Sequence, residues 1–331
     1  MVNPLKEQRR VCAIHAGDSR RWLANYAERA DLIVTSPPYA DARKGHYDSI
    51  APDQFADWFL TFHDSFWNAL RDDGSLIINI KDKVVDGRRH RYVWKTIEKL
   101  EAAGWWCIED YIWNKPNPMP GYWPNRLRDG WEYCFHLAKC KRPYMNQDAV
   151  RVPIGEWAKT RLEKLGDGDK TRHNSENQSG FGRDLSRWVG KDTVLPTNVL
   201  NFSPVTKNKG HPAAYPLDLP SFFIKLFSRP GSLVIDPFGG SGTTGIAALN
   251  LQRDCVLVDM SPEYCGVAYE RIKKEVDLKQ CDIVYDDLVR NVTERTAAKR
   301  AEQLLLFIQQ RHGDVQLEAK AMRPTGSSAR M

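Results

Sequence analysis

Short, almost unbroken apolar runs alternate with helical periodicity along most of this chain. Asp31-Leu32-Ile33-Val34 reads as a buried parallel strand, and Leu76-Ile77-Ile78-Asn79-Ile80 and residues 106–113 as further strands. Between them, residues 92–103 carry the spacing of an amphipathic helix. Near the other end, Ser232-Leu233-Val234-Ile235 and Cys255-Val256-Leu257-Val258 are apolar runs separated by a glycine-rich turn and the helical pattern Ile246-Ala247-Ala248-Leu249. The alternation predicts an α/β fold. It breaks after Lys141: residues 160–192 are polar, charged and glycine-punctuated, without a period, and read as loop. A last helical candidate, residues 297–310 around Leu304-Leu305-Leu306-Phe307, precedes a tail of disordered character. The predicted divisions are 11–140, 141–200, 201–275 and 276–331.

The first strand runs into Thr35-Ser36-Pro37-Pro38-Tyr39. Two consecutive prolines fix φ and remove two N–H donors, which leaves a rigid array of carbonyl acceptors. Open α/β sheets bind ligands at the carboxyl ends of their strands. A planar base suits this turn: its ring would stack on Tyr39 while its exocyclic amine donates to the Ser36 hydroxyl and the Pro37 carbonyl. Taken alone, the same residues describe a proline-rich turn with a packing tyrosine equally well.

The second informative segment is Asp236-Pro237-Phe238-Gly239-Gly240-Ser241-Gly242-Thr243-Thr244-Gly245, which lies between strand and helix and is followed by a strand ending at Asp259. This is one βαβ unit whose glycines let the backbone approach a ligand closely. Asp236 is placed to hold a charged ammonium and Asp259 to accept from ribose hydroxyls. The glycine spacing also satisfies a dinucleotide fingerprint, so an NAD(P)-dependent oxidoreductase is an alternative. A carboxylate ahead of the glycines serves an amino-acid moiety better than a pyrophosphate, and the Ser-Pro-Pro-Tyr turn has no part in hydride transfer. S-adenosylmethionine fits the pair of motifs better.

Together the two motifs resemble those of the DNA amino-methyltransferases, and the resemblance spans roughly residues 11 to 275 with a gap in the middle. His15-Ala16-Gly17-Asp18 resembles the family's strand-end acid, and Trp113-Asn114-Lys115-Pro116-Asn117-Pro118 a segment that helps wall the target-base pocket. His211-Pro212-Ala213-Ala214-Tyr215-Pro216 resembles the segment that closes over the methionine part of the cofactor. With the catalytic motif N-terminal to the cofactor motif, the order is similar to the permuted β arrangement. The resemblance implies a Rossmann-like, circularly permuted S-adenosylmethionine-dependent fold with residues 141–200 as an inserted target-recognition region. It also implies double-stranded DNA as partner, a flipped-out base, and no covalent enzyme intermediate. Ser36, where adenine-N6 members usually carry Asp or Asn, favours cytosine N4 over adenine N6. Permuted relatives often form homodimers. No nuclease motif is evident, so a restriction endonuclease partner would be a separate chain.

The chain has 331 residues and a formal net charge of +6, a mild excess that agrees with a nucleic-acid partner without deciding for one. Candidate DNA contacts are Arg43 and Lys44 in a loop after the catalytic turn, expected to act as a lid, and Lys115. Arg88, Arg89 and Arg91 fit a phosphate clamp or a solvated turn equally well. Arg172, Arg183 and Arg187 in the polar middle have side chains suited to base edges or phosphates. Seven cysteines without a paired framework and no signal peptide suggest reduced thiols and a cytoplasmic protein. Cys134, His136 and Cys140 match no standard zinc spacing, and no metal is expected.

Overall fold

The computed structural model describes residues 9–41, 50–118, 120–122, 124–166, 185–205 and 215–286. The chain divides into two compact units, one built from residues up to 145 and from 200 onward, the other from 146 to 199.

In chain order the larger unit contains β1 (Arg10–Ala16), α1 (Ser19–Leu23), β2 (Ala30–Thr35), α2 (Pro52–Leu60), α3 (His63–Ala69) and β3 (Leu70–Ile80). The hairpin β4 (Lys83–Val85) and β5 (Arg88–His90), α4 (Tyr92–Ala102), β6 (Trp106–Asn114) and β7 (Trp131–Ala138) follow. The smaller unit holds β8 (Val152–Pro153), α5 (Glu156–Glu163) and β9 (Thr193–Val194), with β8 and β9 pairing antiparallel. The chain then returns through β10 (Val199–Asn201), α6 (Asp218–Phe227), β11 (Leu233–Asp236), α7 (Thr243–Asn250), β12 (Asp254–Asp259), α8 (Pro262–Glu275) and β13 (Cys281–Asp286).

Nine strands form one sheet in the order β10-β6-β7-β3-β2-β11-β12-β1-β13. The block from β3 to β13 is parallel, and β7 runs antiparallel to both β3 and β6. Every residue of β2, β11 and β12 is buried. That accounts for their continuous apolar runs, since parallel strands covered on both faces have no solvent side to mark with polar residues. The strand and helix expectations at 76–80, 92–103 and 106–113 fall on β3, α4 and β6, with β3 starting six residues earlier.

The sequence reading contains no helix at α1, α2, α3 or α5, and α5 runs to Glu163, inside the stretch 160–192 read as loop. α2 begins with Pro52 at its first turn, and Phe55, Phe59, Phe62 and Phe66 are all buried along α2, α3 and the turn between them. Their rings contact one another at centroid distances near 6 Å. Truncating one such phenylalanine costs about 3–5 kcal/mol.

The topology sets the site. From β11 the chain proceeds to β12 on one side, and from β2 to β3 on the other, although β2 and β11 are hydrogen-bonded neighbours. Connections that diverge from adjacent parallel strands leave a crevice at their carboxyl ends. Both motifs read from the sequence sit on those two ends.

Candidate active site

On the β11 side, the glycine loop is closed by backbone. Gly239 N–H donates to the Val258 carbonyl at 2.8 Å and Gly240 N–H to Asp259 Oδ2 at 2.9 Å. Gly240 and Gly242 have φ of +49° and +81°, and a Cβ on Gly242 would sit 3.0 Å from that of Ala268 in α8. The turn thus needs glycine both for its backbone angle and for close helix approach. From α8, the Arg271 guanidinium braces the loop by donating to the Ser241 carbonyl, Ser241 Oγ and Thr243 Oγ1 at 2.9–3.2 Å. Phe238 rests edge-on against Phe62 at 5.1 Å, which ties the loop to the aromatic cluster.

Asp259 ends β12 and also accepts from Ser261 N–H at 2.9 Å. Burial pushes its carboxyl up to about 6, with the Ser261 and Gly240 N–H groups opposing the rise. Asp18, at the end of the neighbouring β1, caps α1 through Arg20 N–H at 2.9 Å and pairs with the Arg20 guanidinium at 2.6 Å. The Arg20 hydrogen bonds hold its carboxyl below the usual range.

Asp236 departs from the expected role. Its carboxylate is 2 % exposed and accepts from Thr35 Oγ1 (2.7 Å), Tyr215 OH (3.0 Å), Phe238 N–H (3.1 Å) and Thr244 Oγ1. Burial raises its pKa against these donors. With its lone pairs taken by protein, Asp236 clamps the glycine loop to the catalytic strand instead of presenting a carboxylate to an ammonium.

On the β2 side, side chains do the closing. Tyr39 donates from its hydroxyl to Glu132 Oε2 at 2.7 Å, and the Ser36 hydroxyl donates to Tyr39 OH at 3.4 Å. Asn79 on β3 donates to the same carboxylate oxygen at 3.2 Å and to the Tyr133 carbonyl at 3.0 Å. Glu132 is 6 % exposed on β7, and Lys115 pairs with its other oxygen. A buried carboxylate stays charged only with such partners.

Lys115 is a candidate DNA contact by sequence. Its ammonium is instead the counter-ion of Glu132 and lies 4.2 Å from the centroid of the Trp113 ring, so its charge is spent inside the protein. Arg89 and Arg91 are likewise engaged, with Asp129 at 2.7 Å and with the buried Asp82 at 3.5 Å. Arg88, next to them on β5, is exposed. Arg43, Lys44, Arg172, Arg183, His211 and Pro212 lie outside the described residues, as do the side chain of Arg187 and the helix expected at 297–310. Cys134 and His136 are buried on β7, where they meet Asn79 and Ser75.

The sequence reading missed Glu132, Asn79, Thr35 and Arg271. The first two carried a readable signal: each is a polar residue interrupting an apolar strand. Arg271, on a helix rich in charge, had none.

Asp259 and Asp18, at two neighbouring strand ends beside a glycine loop, suit a ligand with ribose hydroxyls, so the residues present fit S-adenosylmethionine. Asp259 and the loop backbone would hold it, with Asp18 on the adjoining strand end. When bound, it supplies an electrophilic methyl group. The fold and the paired motifs therefore define an S-adenosylmethionine-dependent amino-methyltransferase. The chain belongs to the DNA methylase family of N6/N4 methyltransferases, whose model matches residues 30–270. It is similar to the Type II methyltransferase M.PvuII of Proteus hauseri, with 28 % identity over 302 residues covering 84 % of this chain and 88 % of the relative. The Type II methyltransferase M.SmaI of Serratia marcescens is 29 % identical over 303 residues, 81 % and 93 % of the two chains. In fold it resembles the solved cytosine-N4-specific PvuII DNA methyltransferase, at TM-score 0.59, 24 % identity and coverage of 90 % and 95 %. It also resembles the M1.HpyAVI–SAM complex, at TM-score 0.52, 20 % identity and coverage of 79 % and 98 %.

Proposed function

We propose that this DNA amino-methyltransferase modifies the N4 amine of a flipped-out cytosine at specific sites in double-stranded DNA. One observation carries the reading: the hydroxyl of Ser36 spends its proton on Tyr39, so its lone pairs are left to accept from an amine N–H. Likeness to M.PvuII, whose solved counterpart is cytosine-N4-specific, supports the choice of base.

An exocyclic amine is a poor nucleophile because its lone pair is delocalised into the ring. Ser36 Oγ and the Pro37 carbonyl, each accepting one N–H, favour a tetrahedral nitrogen with a localised lone pair. The rigid turn holds that nitrogen in place, and such positioning alone contributes several kcal/mol. Flipping costs a few kcal/mol, which stacking on Tyr39 offsets by roughly 1–3 kcal/mol. Residues 141–200 are the region we assign to target recognition. The biological setting we infer is cytoplasmic, with modification matched to a restriction endonuclease on a separate chain, and a homodimer as the working assembly.

The test is methyl transfer from labelled S-adenosylmethionine to unmodified genomic DNA, followed by mass spectrometry of the nucleosides. N4-methylcytosine is expected. N6-methyladenine would overturn the choice of base, and label confined to RNA or protein would overturn the substrate.

A further inference from the structure

Methylation of an amine leaves one proton too many on nitrogen, and the structure holds a route for it. Hydrogen bonds beneath the Ser-Pro-Pro-Tyr turn run in one direction. Ser36 O–H donates to Tyr39 OH at 3.4 Å, and Tyr39 O–H donates to Glu132 Oε2 at 2.7 Å, with Asn79 Oδ1 a more distant second acceptor at 3.4 Å. The line starts where an amine N–H would meet Ser36 and ends on a carboxylate. Four segments of chain converge there: the loop after β2, then β3 through Asn79, β7 through Glu132, and the end of β6 through Lys115.

We propose that Glu132 is the acceptor of the proton released in methyl transfer, reached through the hydroxyls of Ser36 and Tyr39. The inference rests on the amine-methylation reading above. As the amine's lone pair forms the new N–C bond, the methyl carbon's bond to sulfur breaks and its electron pair stays on sulfur. One N–H bond then breaks, leaving its pair on nitrogen. That proton passes to Ser36 Oγ, the Ser36 proton to Tyr39 OH, and the Tyr39 proton to Glu132 Oε2. Charge balances: the positive charge carried in by the sulfonium ends as the proton that neutralises Glu132, and Lys115 keeps its own.

Two features suit the carboxylate to this task. Lys115 pairs with Glu132 Oε1 and Asn79 donates to Oε2, partners that compensate for burial of the carboxylate. Burial and the nearby Glu132 charge also push the Tyr39 phenol well above its ordinary range. Tyr39 therefore releases its proton only as it receives that of Ser36, and acts as a conduit rather than as a base.

The test measures single-turnover methylation of unmethylated genomic DNA with saturating labelled S-adenosylmethionine, in water and in deuterium oxide, alongside cofactor affinity. Glu132→Gln keeps the shape and an acceptor for Tyr39 but cannot take the proton. Tyr39→Phe keeps the ring and removes the conduit. Each should slow single turnover by roughly 10²-fold, with cofactor affinity unchanged. The double variant should be no slower than the slower single one, because both interrupt one path. The wild type should be slower in deuterium oxide, and both variants should lose that difference. Glu132→Asp should recover part of the rate. Because Glu132→Gln leaves Lys115 without its counter-ion, Glu132→Gln with Lys115→Met, which removes both charges together, gives a second reading and should be equally slow. Wild-type rates in either form, or singles whose losses multiply in the double variant, would overturn the relay while the methyltransferase reading stands. A wild-type enzyme that puts no label on DNA amines would instead remove that reading, and the relay with it.

Discussion

The two banks of the crevice are built by different means. The β11 bank is largely local: glycine N–H groups, an adjacent strand end and the helix after it close it, each hydrogen bond spanning 30 residues or fewer. The β2 bank is non-local: Tyr39 is held by a glutamate 93 positions away, itself paired with a lysine that directly follows β6. Asp236 joins the two banks by accepting from Thr35 on β2 and from Thr244 on α7. The difference separates two demands. Holding a cofactor requires a backbone shape, which glycine spacing encodes. Methylating an amine requires acceptors and a proton route, which the sheet order assembles.

Removal of Asp236 should have the largest effect, because that residue serves both banks. Asp236→Ala leaves three hydroxyls and an N–H without their acceptor, so cofactor binding by calorimetry should be lost. Urea unfolding should show a stability loss of roughly 2–4 kcal/mol. A variant that binds S-adenosylmethionine normally would break the idea of a shared clamp.

Next comes Ser36→Ala, which belongs to the β2 bank alone. Turnover should fall about 10²–10³-fold, by analogy with removal of one positioned hydrogen-bonding group. Equilibrium dialysis should find cofactor affinity within about two-fold of wild type. Loss of both properties together would show that the banks are not separable.

A smaller effect should come from Asp259. Its carboxyl titrates at about 6, against an ordinary 3.8, chiefly through burial. Only the ionised form offers both oxygens to ribose hydroxyls, so cofactor affinity should rise with pH through 6 and level off above. The limit is tenfold per pH unit. Stability of the ligand-free protein should move the opposite way. A raised folded pKa means that the native state binds more protons, so this contribution is fully present below about 3.8 and is lost as pH rises through about 6. Asp259→Asn should flatten both profiles, and a persistent slope would place the titrating group elsewhere.

The smallest change is expected from Arg88→Ala, outside both banks. It should weaken DNA binding a few-fold across sequences and lower the salt dependence by about one phosphate contact. An unchanged salt slope would count Arg88 among the solvated residues of the β4–β5 hairpin.

Apolar runs marked the central strands because burial on both faces demands them. The two motifs were legible because fixed φ at Pro37 and Pro38 and positive φ at Gly240 and Gly242 are written as residue types. α2 and α3 were passed over although their aromatic spacing was visible. The Trp131–Ala138 strand was not resolved from its surroundings, and Glu132 was passed over with it.

What the sequence determined by itself is local: the α/β alternation, the catalytic turn, the glycine loop and the strand-end acids Asp18, Asp236 and Asp259. The tertiary structure alone decided which charges face a ligand. It turned Lys115 inward onto Glu132, paired Arg89 and Arg91 with aspartates, and surrounded Asp236 with protein donors. The reason is physical. Backbone angles and periodicity depend on neighbours in the chain, but a charge is satisfied by whatever lies within a few ångströms. In this sheet that neighbour stands 201 residues away for Thr35 and Asp236, and 273 away for Arg9 and Asp282.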